Sequence, residues 1–165
     1  GSSYGIVKVD EKQGLKEAIA TALKEDNQLI IEAALVGTEI SVGAYVVDGE
    51  VMVLPITEII SENDFFDYDA KYNGKSQEIT PARLDANTVE EVHNNVKKLY
   101  RQLGLSGVCR SEFIIEGGTP HLLEVNTIPG LTAASLIPQQ VSAAGIELSD
   151  FFESLLTEAM KKPLI

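Results

Sequence analysis

The sequence predicts an α+β domain with a mostly antiparallel sheet flanked by helices. Short apolar runs typical of strands alternate with amphipathic helical segments, and Asp48-Gly49 forms a tight-turn signal between two of the runs. The chain has 165 residues, of which 44% are hydrophobic, so it is long enough to bury one core. We therefore expect a single globular domain over residues 1–165.

The first half of the chain is expected to form one helix and three strands. Glu11–Lys24 carries apolar residues at helical spacing, and Gln28–Leu35 has the composition of a strand. Ile40–Val47 alternates between the two faces of a strand, and Asp48-Gly49 then turns the chain into Val51–Leu54. This second pair of strands predicts a hairpin.

Residues Ser61–Ser76 are polar and aromatic without any periodicity. Loops of this length inside a compact domain are usually functional or disordered. The pattern therefore predicts a long loop over 61–76.

The second half predicts two helices around another hairpin. Asn87–Leu103 has an apolar stripe typical of an amphipathic helix. Gly107–Ile115 and His121–Asn126 are predicted strands on either side of the turn Glu116–Pro120, and a final amphipathic helix opens at Ser149.

The predicted hairpin gathers polar side chains on one face. Side chains two apart on a strand share a face, so Arg110 lies with Glu112, and Glu124 lies with Asn126. Pairing Ile115 with His121 across the turn puts Glu112 opposite Glu124 and Arg110 opposite Asn126. The same register puts Phe113 opposite Leu123 on the other, apolar face.

Two carboxylates opposite each other repel unless a cation lies between them. Arg110 can supply that cation in a salt bridge. Alternatively, Glu112, Glu124 and Asn126 offer the oxygen ligands that magnesium prefers, which would leave Arg110 to contact a transferring phosphoryl group. The pattern alone leaves both interpretations open.

Composition excludes some classes of partner. The net charge of -12 argues against nucleic acid, although a nucleotide can still bind through a few cations. The single cysteine, Cys109, fits a reducing compartment, and no apolar run reaches the roughly 20 residues of a membrane span. We expect a cytoplasmic protein with no membrane partner.

Five motifs, in order, resemble those of D-alanine–D-alanine ligases of the ATP-grasp superfamily. They correspond to a serine loop, a nucleotide-binding hinge, a mobile loop, a catalytic strand and a metal-binding strand with its following loop. The motifs are Gly1–Gly5, Ile31-Glu32 with Gly37–Glu39, Asp67–Tyr72, Gly107–Phe113, and Leu123–Thr132 with Ser135–Pro138.

The resemblance implies the C-terminal, ATP-binding and catalytic lobe of a longer ATP-grasp ligase. Such an enzyme joins two D-alanines through an acylphosphate, for peptidoglycan precursor synthesis. It uses ATP and two Mg²⁺ ions, which Mn²⁺ can replace, and it is expected to be a homodimer when intact. The 165 residues alone are expected to be inactive as a ligase, because the other lobe supplies part of the site.

The resemblance assigns the chemistry to five residues. Glu112, Glu124 and Asn126 would hold magnesium, with Glu124 bridging two ions. Arg110 and the backbone of Gly130 would stabilise the tetrahedral intermediate. Glu112 departs from the family, which more often has aspartate there; the ligand type is unchanged.

Substrate contacts are implied in the same way. Ser135 and Leu136 would hold the carboxylate of the second D-alanine. Ser2 or Ser3 would form a hydrogen-bonded pair with Tyr72 that closes the site. The resemblance thereby implies that 61–76 is a mobile active-site loop. Gly1-Ser2-Ser3 also matches the remnant of an expression tag, although Tyr4-Gly5 continues the family motif.

Nucleotide contacts complete the implied site. Glu32 and the backbone of Ala34 and Leu35 would bind the adenine edge, Glu39 the ribose hydroxyls and Lys71 the phosphates. Ala34 stands where the family often has an aromatic residue, so packing beside the adenine would be looser.

Two alternative functions remain. One is another ATP-grasp carboxylate–amine ligase, including the D-alanine–D-lactate type; the Asp67–Tyr72 loop favours the dipeptide-forming branch. The other is a non-catalytic ATP-grasp binding module, which would be expected to lack the metal carboxylates that this sequence retains.

Overall fold

A computed structural model describes residues 5–61 and 76–161. The chain divides into two compact units, Gly1–Leu35 with Ser61–Gln77, and Val36–Ile60 with Glu78–Ile165. Within the described residues, no helix is long and apolar enough to cross a membrane.

The first unit contains the predicted N-terminal helix. A 3-10 turn, Lys12–Gly14, leads into α1, Leu15–Ala22. The strand predicted over Gln28–Leu35 is wrong, because this segment has no regular secondary structure, and Ile30 and Ile31 are 83% and 64% exposed. Apolar composition makes a strand only where a neighbouring strand takes its backbone hydrogen bonds, and none of the described strands pairs with this segment.

Six strands form one sheet in the described part of the chain. Their bounds are β1 Thr38–Val47, β2 Glu50–Val53, β3 Thr57–Ser61, β4 Ser76–Ile79, β5 Cys109–Glu116 and β6 Thr119–Asn126. The order is β4-β3-β1-β5-β6, with β2 also paired to β1. The pairs of β1 with β2, β3 and β5, and of β5 with β6, are antiparallel, as the sequence predicts.

Strands β3 and β4 were not predicted. Ser61, the last residue of β3, and Ser76, the first residue of β4, were the bounds of the predicted loop. Both bounds were wrong, because these two residues belong to strands. The remainder of that loop, 62–75, lies outside the described residues.

Three further helices follow: α2 Ala86–Gln102, α3 Leu136–Ala143 and α4 Leu148–Met160. Helices α2 and α4 confirm two predictions with shifts of one residue at their starts. Helix α3 was missed because it has eight residues, too few for a clear periodic signal.

The core of the second unit lies on both faces of the sheet. Strand β1 contributes to both, because its alternate side chains point in opposite directions. On one face, Ile40 and Val42 pack with the buried stripe of α2. On the other, Tyr45 packs with α3 and α4, and its ring meets Phe151 edge-on at a centroid distance of 4.9 Å.

Both hairpins turn through two residues with positive φ. Asp48 (φ 51°) and Gly49 (φ 82°) join β1 to β2, which confirms the predicted turn. Gly117 (φ 59°) and Gly118 (φ 86°) join β5 to β6, and Glu116 already pairs with Thr119. The longer turn predicted over Glu116–Pro120 is therefore wrong.

The shorter turn changes the register near it and a bulge restores the register further on. Ile115 pairs with Pro120 and Phe113 with Leu122, so the predicted partners of both residues were wrong by one. An irregularity after Glu112 then absorbs the extra residue, Leu123, which is 46% exposed instead of facing the core.

Candidate active site

The bulge places the predicted polar residues directly opposite one another. Glu112 on β5 pairs with Glu124 on β6, and Arg110 pairs with Asn126, as the sequence predicts. Directly paired residues of antiparallel strands project to the same face. All four side chains therefore share one face of the hairpin.

The central strand β1 extends this polar face. Ser41 pairs with Glu112 and Gly43 with Arg110 on the far side of β5. Glu39, two residues before Ser41, lies on the same face of β1 and pairs with Ile114. The predicted ribose-binding carboxylate of Glu39 thus projects from the sheet face that carries the predicted metal-binding residues.

A buried ion pair neutralises part of this face. Arg110 Nη2 and Nε donate to Oε1 of Glu112 at 2.6 and 3.1 Å. The two side chains are only 18% and 9% exposed, so solvent screens the pair weakly. The salt-bridge interpretation is therefore realised in this structure. Both bonds end on Oε1 of Glu112, so the pair does not occupy Oε2.

The donor set of the hairpin fits magnesium. Glu112 and Glu124 offer carboxylate oxygens from opposite strands, and Asn126 offers an amide oxygen. Oδ1 of Asn126 accepts from the backbone N–H of Ile128 at 3.0 Å and retains a second lone pair. Over 5–61 and 76–161, no three His, Cys, Asp or Glu side chains gather as metal ligands. Magnesium needs no such cluster, because one or two carboxylates usually suffice.

The loop after β6 folds onto the start of α3. Oγ of Ser135 accepts from the backbone N–H of Thr132 at 3.2 Å and lies 2.9 Å from the Thr132 hydroxyl. A Cβ at Gly130 would lie 2.8 Å from Ser135 Oγ, so a side chain at 130 would have to displace the Ser135 hydroxyl. The structure therefore brings together Gly130 and Ser135, which sequence reasoning placed in separate roles.

Helix α3 begins at these residues. Ser135 is its N-cap and makes no side-chain capping bond, and Leu136 is its first residue. The first amides of a helix have no acceptor within the helix, and they favour an anion. The start of α3 therefore suits a substrate carboxylate.

The predicted nucleotide residues divide between the two units. Glu32, Ala34 and Leu35 belong to the first unit, in the segment without regular structure, whereas Glu39 belongs to the second. The remaining predicted contacts lie outside the described residues. These are Ser2, Ser3, Lys71 and Tyr72.

Two buried polar residues near the site were missed from the sequence. Ser41 on β1 pairs with Thr57 on β3 and with Glu112 on β5. Its Oγ has no hydrogen-bond partner among the described residues. Gln140 lies on the buried face of α3. The signal for Gln140 was present: it interrupts the helical stripe Ile137, Gln140, Val141 with a polar side chain.

Cys109 is not a nucleophile. Its side chain packs in the core that faces α2, and burial raises the pKa of the thiol to about 11. The thiol is therefore protonated at neutral pH.

Comparison with known proteins agrees with this geometry. Residues 1–157 match the family described as D-ala D-ala ligase C-terminus. A D-alanine–D-alanine ligase from Flavobacterium johnsoniae is 56% identical over 156 residues, covering 94% of this chain and 48% of the relative. The chain spans about half the length of the curated relatives it matches.

Solved structures share the fold. The VanG D-Ala:D-Ser ligase from Enterococcus faecalis superposes with a TM-score of 0.81 at 34% identity, covering 95% of this chain and 46% of that one. A D-alanine–D-alanine ligase from Bacillus anthracis, complexed with ATP, gives 0.75 at 29% identity, covering 92% and 47%.

The antiparallel sheet with helices on both faces thus has the fold of about half of each of these ligases. Because the family match extends over nearly the whole chain, this protein belongs to the D-alanine–D-alanine ligase C-terminal family.

Proposed function

We propose that this protein ligates two D-alanines to D-alanyl-D-alanine, for peptidoglycan precursor synthesis. The observation that carries the proposal is the hairpin face on which Glu112 pairs with Glu124 and Arg110 with Asn126. The naming of a 56% identical relative as a D-alanine–D-alanine ligase supports the choice of substrate.

The reaction has two steps. The γ-phosphoryl group of ATP passes to the carboxylate of the first D-alanine, which forms an acylphosphate and ADP. The amine of the second D-alanine then attacks the acyl carbon, phosphate leaves, and the amine loses a proton as the amide forms.

The carboxylates of the hairpin hold the metal in this proposal. Glu112, Glu124 and Asn126 would bind two Mg²⁺ ions, or Mn²⁺ in their place, with Glu124 shared between them. When bound, the ions neutralise charge on the transferring phosphoryl group. Support comes from the fit of the oxygen donor set to magnesium.

Arg110 and Gly130 act on the tetrahedral intermediate. The guanidinium of Arg110 is held on the hairpin face by its bonds to Glu112, so it is oriented before substrate binds. Preorganised donors of this kind stabilise developing negative charge without further reorganisation. The backbone N–H of Gly130 is the second proposed donor.

Ser135 and Leu136 hold the carboxylate of the second D-alanine. The first amides of α3 and the Ser135 hydroxyl provide hydrogen-bond donors for an anion. The nearness of Gly130 to Ser135, whose Oγ would lie 2.8 Å from a Cβ at position 130, supports this pairing of roles.

The nucleotide roles follow the family resemblance and the neighbouring structure that holds ATP. Glu32, Ala34 and Leu35 are proposed to bind adenine, and Glu39 the ribose. Lys71 is proposed to contact the phosphates.

Ser2 or Ser3 is proposed to pair with Tyr72 to close the site. We also propose that the intact enzyme is cytoplasmic, where ATP is available, and homodimeric. Light scattering on the full-length protein tests its oligomeric state.

The test is an assay of the full-length protein with ATP, magnesium and D-alanine. We expect D-alanine-dependent phosphate release, with D-alanyl-D-alanine identified by mass spectrometry. D-Serine and D-lactate are offered as competing acceptors, because the VanG neighbour is a D-Ala:D-Ser ligase. Preferred incorporation of either would assign a different ligase. Nucleotide binding without phosphate release would indicate a binding module.

A further inference from the structure

Gln140 is a polar side chain in the apolar contact between α3 and the sheet. It is 0% exposed, and its helix neighbours Ile137 and Val141 are buried beside it. A buried amide is costly unless its oxygen and nitrogen both find hydrogen-bond partners. The partners of Gln140 therefore indicate what this residue does.

Gln140 bonds to the middle of the sheet. Its Oε1 accepts from the backbone N–H of Gly43 at 2.9 Å. Its Nε2 donates to the backbone oxygen of Ser41 and to Oγ1 of Thr57, both at 2.9 Å. One side chain of α3 thus contacts both β1 and β3.

These bonds fill a gap in the strand ladder. On one side of β1, pairing with β3 reaches Ser41, and pairing with β2 begins at Ala44. Between these two pairings, the backbone N–H of Gly43 and the backbone oxygen of Ser41 are bonded by the side chain of Gln140 instead of by a neighbouring strand. The helix is thereby attached to the strand at a defined position.

Gly43 permits the close approach that these bonds need. A Cβ there would lie 2.6 Å from Cδ1 of Ile137 and 2.7 Å from Oε1 of Gln140. A side chain at 43 would have to displace the side-chain ends of Ile137 and Gln140, and with them the bond between Gln140 and the Gly43 N–H.

The attachment points are the strand partners of the candidate catalytic residues. Ser41 pairs with Glu112, and Gly43 pairs with Arg110. The same helix carries Ser135 at its start, one turn before Gln140. The amide of Gln140 therefore connects α3 to β1, at the two residues that pair with Glu112 and Arg110 of β5.

We propose that Gln140 is a positioning residue that holds the acceptor-binding start of α3 in register with Arg110 and Glu112. This inference rests on the proposed ligase function. Gln140 does not touch substrate; it fixes where the second D-alanine lies relative to the acyl carbon that its amine attacks.

The test is Gln140→Leu in the full-length protein, which keeps a similar volume and removes all three bonds. Two KM values, one for each D-alanine, are obtained from initial rates over a wide range of D-alanine concentration. We expect the KM for the second D-alanine to rise about tenfold or more, because small displacements of a bound reactant are costly. The KM for ATP should stay within about twofold of the wild type, since ATP contacts are unchanged.

Val96→Ala is the matched control for lost stability. Val96 belongs to α2 and is buried in the core on the opposite face of the sheet. It does not belong to the hydrophobic cluster that contains Ile137 and Val141 of α3. Val96→Ala should lower the Tm and leave the KM values of both D-alanines unchanged. An equal loss of Tm in Gln140→Leu with an unchanged acceptor KM would show that Gln140 is only structural, and would overturn the proposal.

Gln140→Glu adds a signature that a merely structural role would not produce. A protonated carboxyl can accept from Gly43 and donate to Ser41 as the amide does, whereas the carboxylate cannot donate. Burial favours the protonated form. The ratio of variant to wild-type acceptor KM should therefore fall as the pH is lowered. A ratio that does not change with pH would contradict the donor role.

Hydrogen exchange separates failure of this proposal from failure of the ligase function. The Gly43 amide should exchange faster in Gln140→Leu than in the wild type, while the amides of α2 keep their protection. This readout remains available if Gln140→Leu is too unstable for kinetics. Wild-type protein without D-alanine-dependent turnover would overturn the ligase function and the acceptor role together, and the exchange data would still decide whether Gln140 attaches α3 to β1.

Discussion

Polar side chains form a continuous row across the sheet at the candidate site. Thr57 pairs with Ser41, Ser41 with Glu112, and Glu112 with Glu124, on strands β3, β1, β5 and β6. Charge rises along the row, from two hydroxyls to two carboxylates. Such a row is stable only where cations balance the carboxylates, and Arg110 already bonds to Glu112.

Glu124→Gln tests the metal role at the end of that row. The change keeps the side-chain volume and removes one negative charge, so we expect turnover to fall by more than about a hundredfold while the fold is retained. Turnover is measured with the full-length protein at saturating ATP and magnesium, and the Tm by circular dichroism. Near-wild-type turnover would contradict a metal role for Glu124.

At the scale of single elements, Asp85 illustrates how side chains begin a helix. It is the N-cap of α2, and its Oδ1 accepts from the backbone N–H of Asn87 at 3.0 Å and of Thr88 at 3.1 Å. Asp85 lies two residues before the predicted start of this helix. An aspartate at that distance is a readable start signal, so the helix start could have been placed more accurately.

Asp85→Ala should therefore loosen the first turn of α2. We expect the Tm to fall by about 2–4 °C, because two backbone donors lose their acceptor. Asp85→Asn is the matched control, since its amide oxygen caps equally well without charge. Thermal melts of both variants make the comparison. A Tm loss in Asp85→Asn as large as in Asp85→Ala would show that the turn is stabilised by the charge, or by the bond of 2.6 Å that Oδ2 accepts from the Thr88 hydroxyl, and not by backbone capping.

The contact between β3 and the segment before α2 depends on pH. Arg83 Nε and Nη2 donate to the two carboxylate oxygens of buried Glu58, at 2.9 and 2.6 Å. These hydrogen bonds hold the pKa of Glu58 below its usual value, even though burial opposes them. A lowered folded-state pKa means that the pair stabilises the protein above the unfolded-state pKa, and that this stability is lost as pH falls through the lowered value.

Arg83→Met should accordingly destabilise the protein most at neutral pH, where it leaves the Glu58 carboxylate buried without its partner. The difference in Tm between variant and wild type should shrink as pH falls through the lowered pKa of Glu58, because the carboxyl becomes neutral in both proteins. Thermal melts over a pH series measure this. A difference in Tm that is constant with pH would rule out the ion pair as its cause.

For the whole molecule, net charge opposes compactness. With 25 acidic and 13 basic residues, the chain carries a formal charge of -12. Repulsion among like charges destabilises a compact state, and salt screens it over a Debye length of about 10 Å at 0.1 M.

Raising sodium chloride from low to physiological concentration should therefore raise the Tm of the protein. Sucrose at equal osmolality is the control, because it does not screen charge. A Tm that falls with salt would mean that attractive pairs such as Arg110–Glu112 contribute more to stability than the general repulsion.

The sequence by itself determined the features that depend on neighbours along the chain. The Asp48-Gly49 turn, the helix predicted over Asn87–Leu103 and the polar face of the hairpin follow from turn chemistry, the apolar stripe of a helix and the two-residue period of a strand. For the same reason, Glu112 was correctly expected opposite Glu124. The family followed from motifs that are also local, and the proposed residue roles rest on that family.

Tertiary structure decided the features that depend on distant partners. Gln28–Leu35 has strand composition but no paired strand in the described residues, and Leu123 was displaced by a bulge that no local rule requires. Gln140 finds its partner Gly43 across 97 residues of chain. The free energy of such contacts comes from burial and from hydrogen bonds that exist only once the helix and sheet have packed, so nothing in either segment alone reveals them.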